Sequence, residues 1–164
     1  MLHVAGTTVA LQEGLGGGVA EDRVRRILVG MDGTAEARRA ADLAATMAHA
    51  EGRELVLAHV LPARSNAGLV DPEYVAWRAW TRERRTQELG EIAQREARGN
   101  GQVHTRLLES DDAAGALAEA AQQDPLVDLV VVGHGLRGPL ARAISGSVAD
   151  RLVQICQKSV LVVR

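Results

Sequence analysis

The residues with the greatest scope for chemistry are glycines set where a chain would present bare backbone. After the apolar run Val130-Val131-Val132 come Gly133, Gly135 and Gly138, and the stretch Ile144-Ser145-Gly146-Ser147-Val148 follows. Phosphate oxygens need donors that approach without a side chain in the way, and glycine amides supply them. A helix opening at Ser147 adds unpaired N–H groups, a favourable dipole and a hydroxyl. The same residues also suit a purely structural role, with Gly133 ending a strand, Gly138-Pro139 turning and Ser147 capping a helix. Spacing alone leaves both open.

Other chemistries fit less well. No Gly-x4-Gly-Lys-Ser/Thr phosphate loop exists in the chain. Gly133-x-Gly135-x-x-Gly138 has the form of a dinucleotide fingerprint. That motif belongs to a first strand–helix turn with an acidic residue some 20 positions on, whereas here Lys158 and Ser159 follow. Ser145 and Ser147 lack the Gly-x-Ser-x-Gly elbow of a nucleophile, and the five histidines show no metal spacing. His59, inside an apolar run, is expected to be a buried, hydrogen-bonded histidine, and His134 a polar loop residue. Cys156 alternates with apolar helix positions and is expected in the core. Asp111 and Asp112 read as helix caps. Trp77 and Trp80, three apart on one helix, are expected to pack.

The elements that must position these residues alternate cleanly from Val24 onward. Short continuous apolar runs, Ile27–Met31 and Leu55–Val60, suit strands covered on both faces. A helix is expected from an N-cap at Thr34, with Ala37, Ala40, Ala41, Ala44, Met47 and Ala48 at helical spacing and Gly52 ending it. Residues 62–72 read as a connection, and Asp71-Pro72 opens a long helix whose Arg and Glu residues form a solvated face, stopped by Gly99-Asn100-Gly101. A strand follows near Val103–Leu108, then a helix capped by Ser110 or Asp111. Next come a strand at Leu126–Val132, a helix at Ser147–Gln157 and a last strand at Val160–Val163. Strand–helix alternation predicts a parallel, doubly wound five-stranded α/β sheet with helices on both faces. Ligands of such sheets bind outside the carboxyl ends of the strands where the winding reverses. With strands 1 and 4 adjacent, Gly30-Met31-Asp32-Gly33-Thr34 faces the loop from Gly133.

Composition agrees with one soluble domain. The 164 residues are 46% apolar but only 2% aromatic, with no Phe, so the core must be Ala, Val, Leu and Ile in closely packed elements. A net charge of −2 gives no field for nucleic acid or anionic membrane. No apolar run approaches the roughly 18–20 residues that span a bilayer. The single cysteine rules out a disulfide within the chain and fits a reducing compartment. Residues 1–22 read as an extension, flexible at Gly14, Gly16, Gly17 and Gly18 or forming a short added strand, ahead of a domain at 23–164. With no basic start to mark a signal peptide, the expected location is cytoplasmic.

Asp32-Gly33-Thr34 after the first strand, His59-Val60 closing the second, Gly133 with its loop, Gly146-Ser147-Val148 and the terminal Ser159–Val163 together resemble the universal stress protein family over about residues 24–164. The resemblance implies a Rossmann-like sheet of order 3-2-1-4-5. It also implies a site for ATP, with or without Mg²⁺, in the branch that carries a glycine, two residues, a glycine, nine residues, then glycine and Ser or Thr. Here Gly133 and Gly146-Ser147 stand at the right total separation of thirteen positions, but Leu136 occupies the second glycine's place, with Gly135 one position early. Gly30 stands where ATP-binding members often have proline. By resemblance, Asp32 and Val60 would contact the adenosine end, and Gly133 beside Val132 would allow approach near the ribose. Gly135 would donate in place of residue 136, and Gly146, Ser147 and Val148 would hold the phosphates. Arg137 is either a further phosphate partner or a solvated loop cation.

Three functions follow as expectations: a stress-response protein that binds an adenine nucleotide as a signal, a dimeric interaction module with a degenerate crevice, or a slow ATPase. In the order 3-2-1-4-5 the strand Val160–Val163 is a sheet edge. Its pairing with a second copy would cover it, giving the homodimer common in the family.

Overall fold

A computed structural model describes residues 24–63, 72–97, 101–134 and 148–164. The proposed extension at 1–22 therefore lies outside the described residues, as do Gly135, Leu136, Arg137, Gly146 and Ser147. The elements run β1 (Arg26–Met31), α1 (Ala35–Glu51), β2 (Glu54–Leu61), α2 (Pro72–Glu96), β3 (Val103–Glu109), α3 (Ala113–Gln123), β4 (Val127–Gly133), α4 (Val148–Ile155) and β5 (Ser159–Val163). The strands form one parallel sheet ordered β3-β2-β1-β4-β5. The expected order and the expected adjacency of the first and fourth strands are both present.

The continuous apolar strands follow from this layering. Alternate residues of β1 enter opposite faces: Ile27, Val29 and Met31 meet α1 and α2, whereas Leu28 meets the α3 and α4 side. α1 presents Ala37, Ala40, Ala41, Ala44 and Ala48, all buried, and so settles close to the sheet without large side chains. Its ends are set as the sequence suggests. The Thr34 side chain accepts the Ala37 amide, and Gly52 takes the left-handed conformation at φ 65° that closes the helix.

Four expectations are corrected, beyond other one-residue shifts at strand ends. α3 is capped by Asp112, whose Oδ1 accepts the Gly115 amide at 3.1 Å, rather than by Ser110 or Asp111. Ser110 Oγ instead accepts the Asp112 amide, and Asp111 Oδ1 accepts that of Ala63. β4 starts one residue late because Asp124 Oδ1 holds the Leu126 amide in the preceding turn. α4 ends at Ile155, two residues before Gln157, so half-buried Cys156 packs against the core from just past the helix. The fourth difference is larger. Trp77 and Trp80 do not pack inward but stand 52% and 56% exposed on α2.

The amino edge of the sheet is closed by charge. Arg26 donates to Glu54 at 2.6 Å and to Asp124 at 3.1 Å, and Arg106 reaches Asp124 at 3.2 Å. Burial raises the pKa of the nearly enclosed Asp124, but the Leu126 amide and Arg26 outweigh it and hold the group below its ordinary value. This network lies at the opposite end of the sheet from the glycine-rich turns.

Candidate functional site at the carboxyl edge

β1 and β4 lie side by side, yet the helices that follow them leave for opposite faces. Their carboxyl ends therefore part over a cleft. A cavity of about 90 Å³ opens there, lined by Gly30, Asp32, Val60, Leu117, Val132 and Gly133 among others. Val148, the first residue of α4, also borders it. Of the residues expected to form the site, Asp32, Val60, Val132, Gly133 and Val148 are thus together. Gly135, Arg137, Gly146 and Ser147 lie outside the described residues.

Local chemistry fixes the Asp32 wall. Gly33 turns at φ +84°, a conformation that L side chains resist. The Asp32 carboxylate then accepts from both the Thr34 amide at 2.9 Å and the Thr34 hydroxyl at 2.5 Å, while Thr34 Oγ1 accepts from Ala37 N at 3.2 Å. A relay from carboxylate to hydroxyl to helix amide holds Asp32 at the rim, exposed to solvent.

The floor and far wall are apolar. Val132 and Ala58 are buried, with Val60 half-buried beside them. Gly133 is needed there for a reason spacing does not reveal. A Cβ at 133 would come within 2.5 Å of Ala37 N and of the Glu36 carbonyl carbon, so it is the backbone of the first turn of α1 that excludes a side chain. At Gly30 the crowding comes from side chains, Leu117 Cδ1 at 2.9 Å and Val132 Cγ1 at 3.0 Å. Leu117 and Ala113 of α3 also line the cavity, and the sequence reading assigned neither to the site. Helical periodicity reports that Leu117 faces the sheet, not that the sheet ends in a cleft beneath it.

His59 is half-buried rather than fully enclosed, and it is hydrogen-bonded. Its Nδ1 lies 2.6 Å from the Met31 carbonyl oxygen, so that nitrogen carries the proton and donates. Burial, with Arg85 nearby, lowers its pKa against the opposing pull of that carbonyl. His134, at the start of the glycine-rich loop, donates its amide to Val163 O at 2.7 Å and ties β4 to the end of β5. Across the mouth, Arg151 of α4 reaches Asp112 at 2.7 Å, fixing the start of α4 against that of α3.

The cleft has the form of an apolar slot with a carboxylate at its rim and the start of α4 at its border. Such a slot accepts a flat apolar ring, with polar groups left at the edge.

Comparison with known proteins gives the chain a place. A family model described as the universal stress protein family matches residues 23–164. Among solved structures, one from that family from Burkholderia pseudomallei is 28% identical with a TM-score of 0.64, covering 84% of this chain and 93% of its own. A universal stress protein in complex with cAMP is 26% identical at a TM-score of 0.62, covering 86% of this chain and 97% of its own. A universal stress protein from Archaeoglobus fulgidus in complex with dAMP shares the fold at a TM-score of 0.59 and 17% identity, covering 87% and 98%. No curated protein matches the chain.

Proposed function

The chain belongs to the universal stress protein family, and from that premise we propose that it is a cytoplasmic stress-response protein that binds an adenine nucleotide, ATP in the first instance, at the carboxyl edge of the sheet. The observation that carries this is the convergence of Asp32, Val60, Val132, Gly133 and Val148 on one cavity. Val60 and Val132 line the place for the base, Asp32 the polar rim, and the start of α4 the side where phosphates would lie. The related protein solved with cAMP makes an adenine nucleotide the natural probe. In the proposed site Gly135, Gly146, Ser147 and, where a further cation is needed, Arg137 complete the phosphate wall. A homodimer formed through the edge strand β5 accompanies it, since β5 has β4 on one side only.

Calorimetric titration with ATP, AMP and cAMP, each with and without Mg²⁺, tests the proposal. Saturable binding that Gly146→Val abolishes, in a protein that still folds, is the expected result. Absence of heat at millimolar nucleotide sinks it. Leu117, seated over Gly30, favours a second reading in which the slot is filled from within and the protein is a dimeric interaction module without nucleotide. The same titration separates the two.

A further inference from the structure

All three aromatic residues of this 164-residue chain fall within seven consecutive positions, Tyr74 to Trp80. They stand on the part of α2 with least beneath it. None of residues 72–88 is buried, and burial on the helix begins at Leu89. At 1.5 Å per residue α2 is about 37 Å long, against about 23 Å for β3 beside it. Arg78 and Arg82 both pair with Glu109, the last residue of β3. The turn before them, with Tyr74 and Trp77, therefore stands at the carboxyl edge of the sheet, where Tyr74 and Val75 border one cavity with Glu109.

Trp77 and Trp80 are more than half exposed, as Val75 nearly is at 49%. Tyr74 stacks on Trp77 with ring centroids 5.9 Å apart, and the Arg84 guanidinium lies 5.2 Å from the Trp80 ring. Apolar surface of this kind on a charged helix marks a contact. Its spacing indicates which contact. Glu73, Trp77, Trp80 and Arg84 are separated by four, three and four residues, one stripe of a heptad seam, and all four are exposed. When the helix is turned end for end about the midpoint of that stripe, Trp77 meets Trp80 and Glu73 meets Arg84. Both matches are then made twice by the two-fold axis.

We infer that this stripe of α2 is a self-association surface whose partner is a second copy of the same chain, packed antiparallel with Trp77 against Trp80 and with Glu73 joining, at each end, the Arg84 that pairs with Glu88 within its own helix at 3.1 Å. A polyanion is a poorer fit, because Glu73 and Glu83 share the helix with the arginines and the chain carries net charge −2. Exposed Trp rings contribute on the order of 150–250 Å² each at most, so the contact is below standard interface size and concentration-dependent. α2 packs over β2 and β3, at the sheet edge opposite β5. Pairing through α2 therefore leaves β5 free for a separate contact.

Trp77 and Trp80 are the only tryptophans in the chain, so intrinsic fluorescence reads this surface directly. Sedimentation and emission spectra of the full chain are measured together across a dilution series. The emission maximum is expected to move to shorter wavelength as association proceeds. Glu73→Arg and Arg84→Glu, each placing two like-charge contacts in the pair, are each expected to raise the dissociation constant about tenfold. The double charge swap carries both surface changes and the loss of the Arg84–Glu88 pair within the helix, yet restores opposite charges across the contact, and returns it to within about twofold. An emission spectrum unmoved by association overturns the inference and leaves any dimer to β5. A double swap as weak as the single variants, or a shift seen only on adding single-stranded nucleic acid, overturns it as well.

Discussion

Leu117 of α3 lies directly above Gly30 of β1, so close that a Cβ at position 30 would come within 2.9 Å of Leu117 Cδ1. One residue is bare so that the other can close the inner end of the slot. Both line the cavity that also holds Asp32 and Val60, so the pair sets how much room the slot offers.

Leu117→Ala removes a buried side chain and is expected to cost about 2–4 kcal/mol in denaturant unfolding. It also enlarges the slot, so ATP affinity by calorimetry should rise. Gly30→Ala has the opposite effect on the slot, pushing the flexible tip of Leu117 inward at a cost of about 1 kcal/mol, and should weaken binding. If both substitutions leave affinity unchanged, the base does not sit between these residues.

Gly133→Ala tests a different kind of crowding. The atoms in the way are Ala37 N and the Glu36 carbonyl carbon, both at 2.5 Å and both backbone, and no rotamer change moves them. A loss of about 2–3 kcal/mol, at the upper end for an overpacked site, is expected by urea unfolding. A variant as stable as the parent would mean that the first turn of α1 slides freely on β4.

At the amino edge, Asp124→Asn removes the charge that holds Arg26 and Arg106 together. The expected cost is about 2 kcal/mol, because Asp124 is 6% exposed and Arg26 is left beside Glu54 alone. Glu54 is likewise held below its ordinary value near 4.5, first by its hydrogen bond to Arg26. Both carboxyls are depressed, so their contribution is present above their ordinary range and is lost as pH falls through the lowered folded values. The parent should therefore lose stability in that acid range, and Asp124→Asn should lose less of it.

His59 titrates in a separate window. Burial first, then Arg85, lower its pKa from the ordinary 6.5, while Met31 O, Asp32 and Glu88 pull the other way. Below about 6.5 the unfolded chain takes up a proton that the folded protein refuses. Stability is thus full above that pH and declines as pH drops toward the folded value. His59→Gln should flatten unfolding free energy just below about pH 6.5 while leaving the acid limb of the carboxyls in place. A pH profile identical to that of the parent would show that His59 is as free in the fold as in the unfolded chain.

Local physics governed most of what could be read in advance. Continuous apolar runs require a strand covered twice, alanines at helical spacing require a helix seated close, and Thr34 and Gly52 set the ends of that helix by their own chemistry. These signals are complete within a few residues, so strand–helix order, the doubly wound sheet and the turns holding Asp32 and Gly133 were all legible. The strand order itself entered by family resemblance, since periodicity carries no information about neighbours.

What the tertiary structure decided was distance between residues far apart in the chain. Gly133 is bare because the backbone of α1 passes it, nearly a hundred residues earlier in sequence, and Leu117 borders a slot only because β1 and β4 part beneath it. Trp77 and Trp80 have the spacing of packed residues, yet it is Arg78 and Arg82 that α2 turns toward β3, where both pair with Glu109, and the tryptophans stand on its other side over solvent. Side-chain type and period tell which way a residue faces along its own element. Whether anything stands in front of it depends on where another element ends, and only the folded chain sets that.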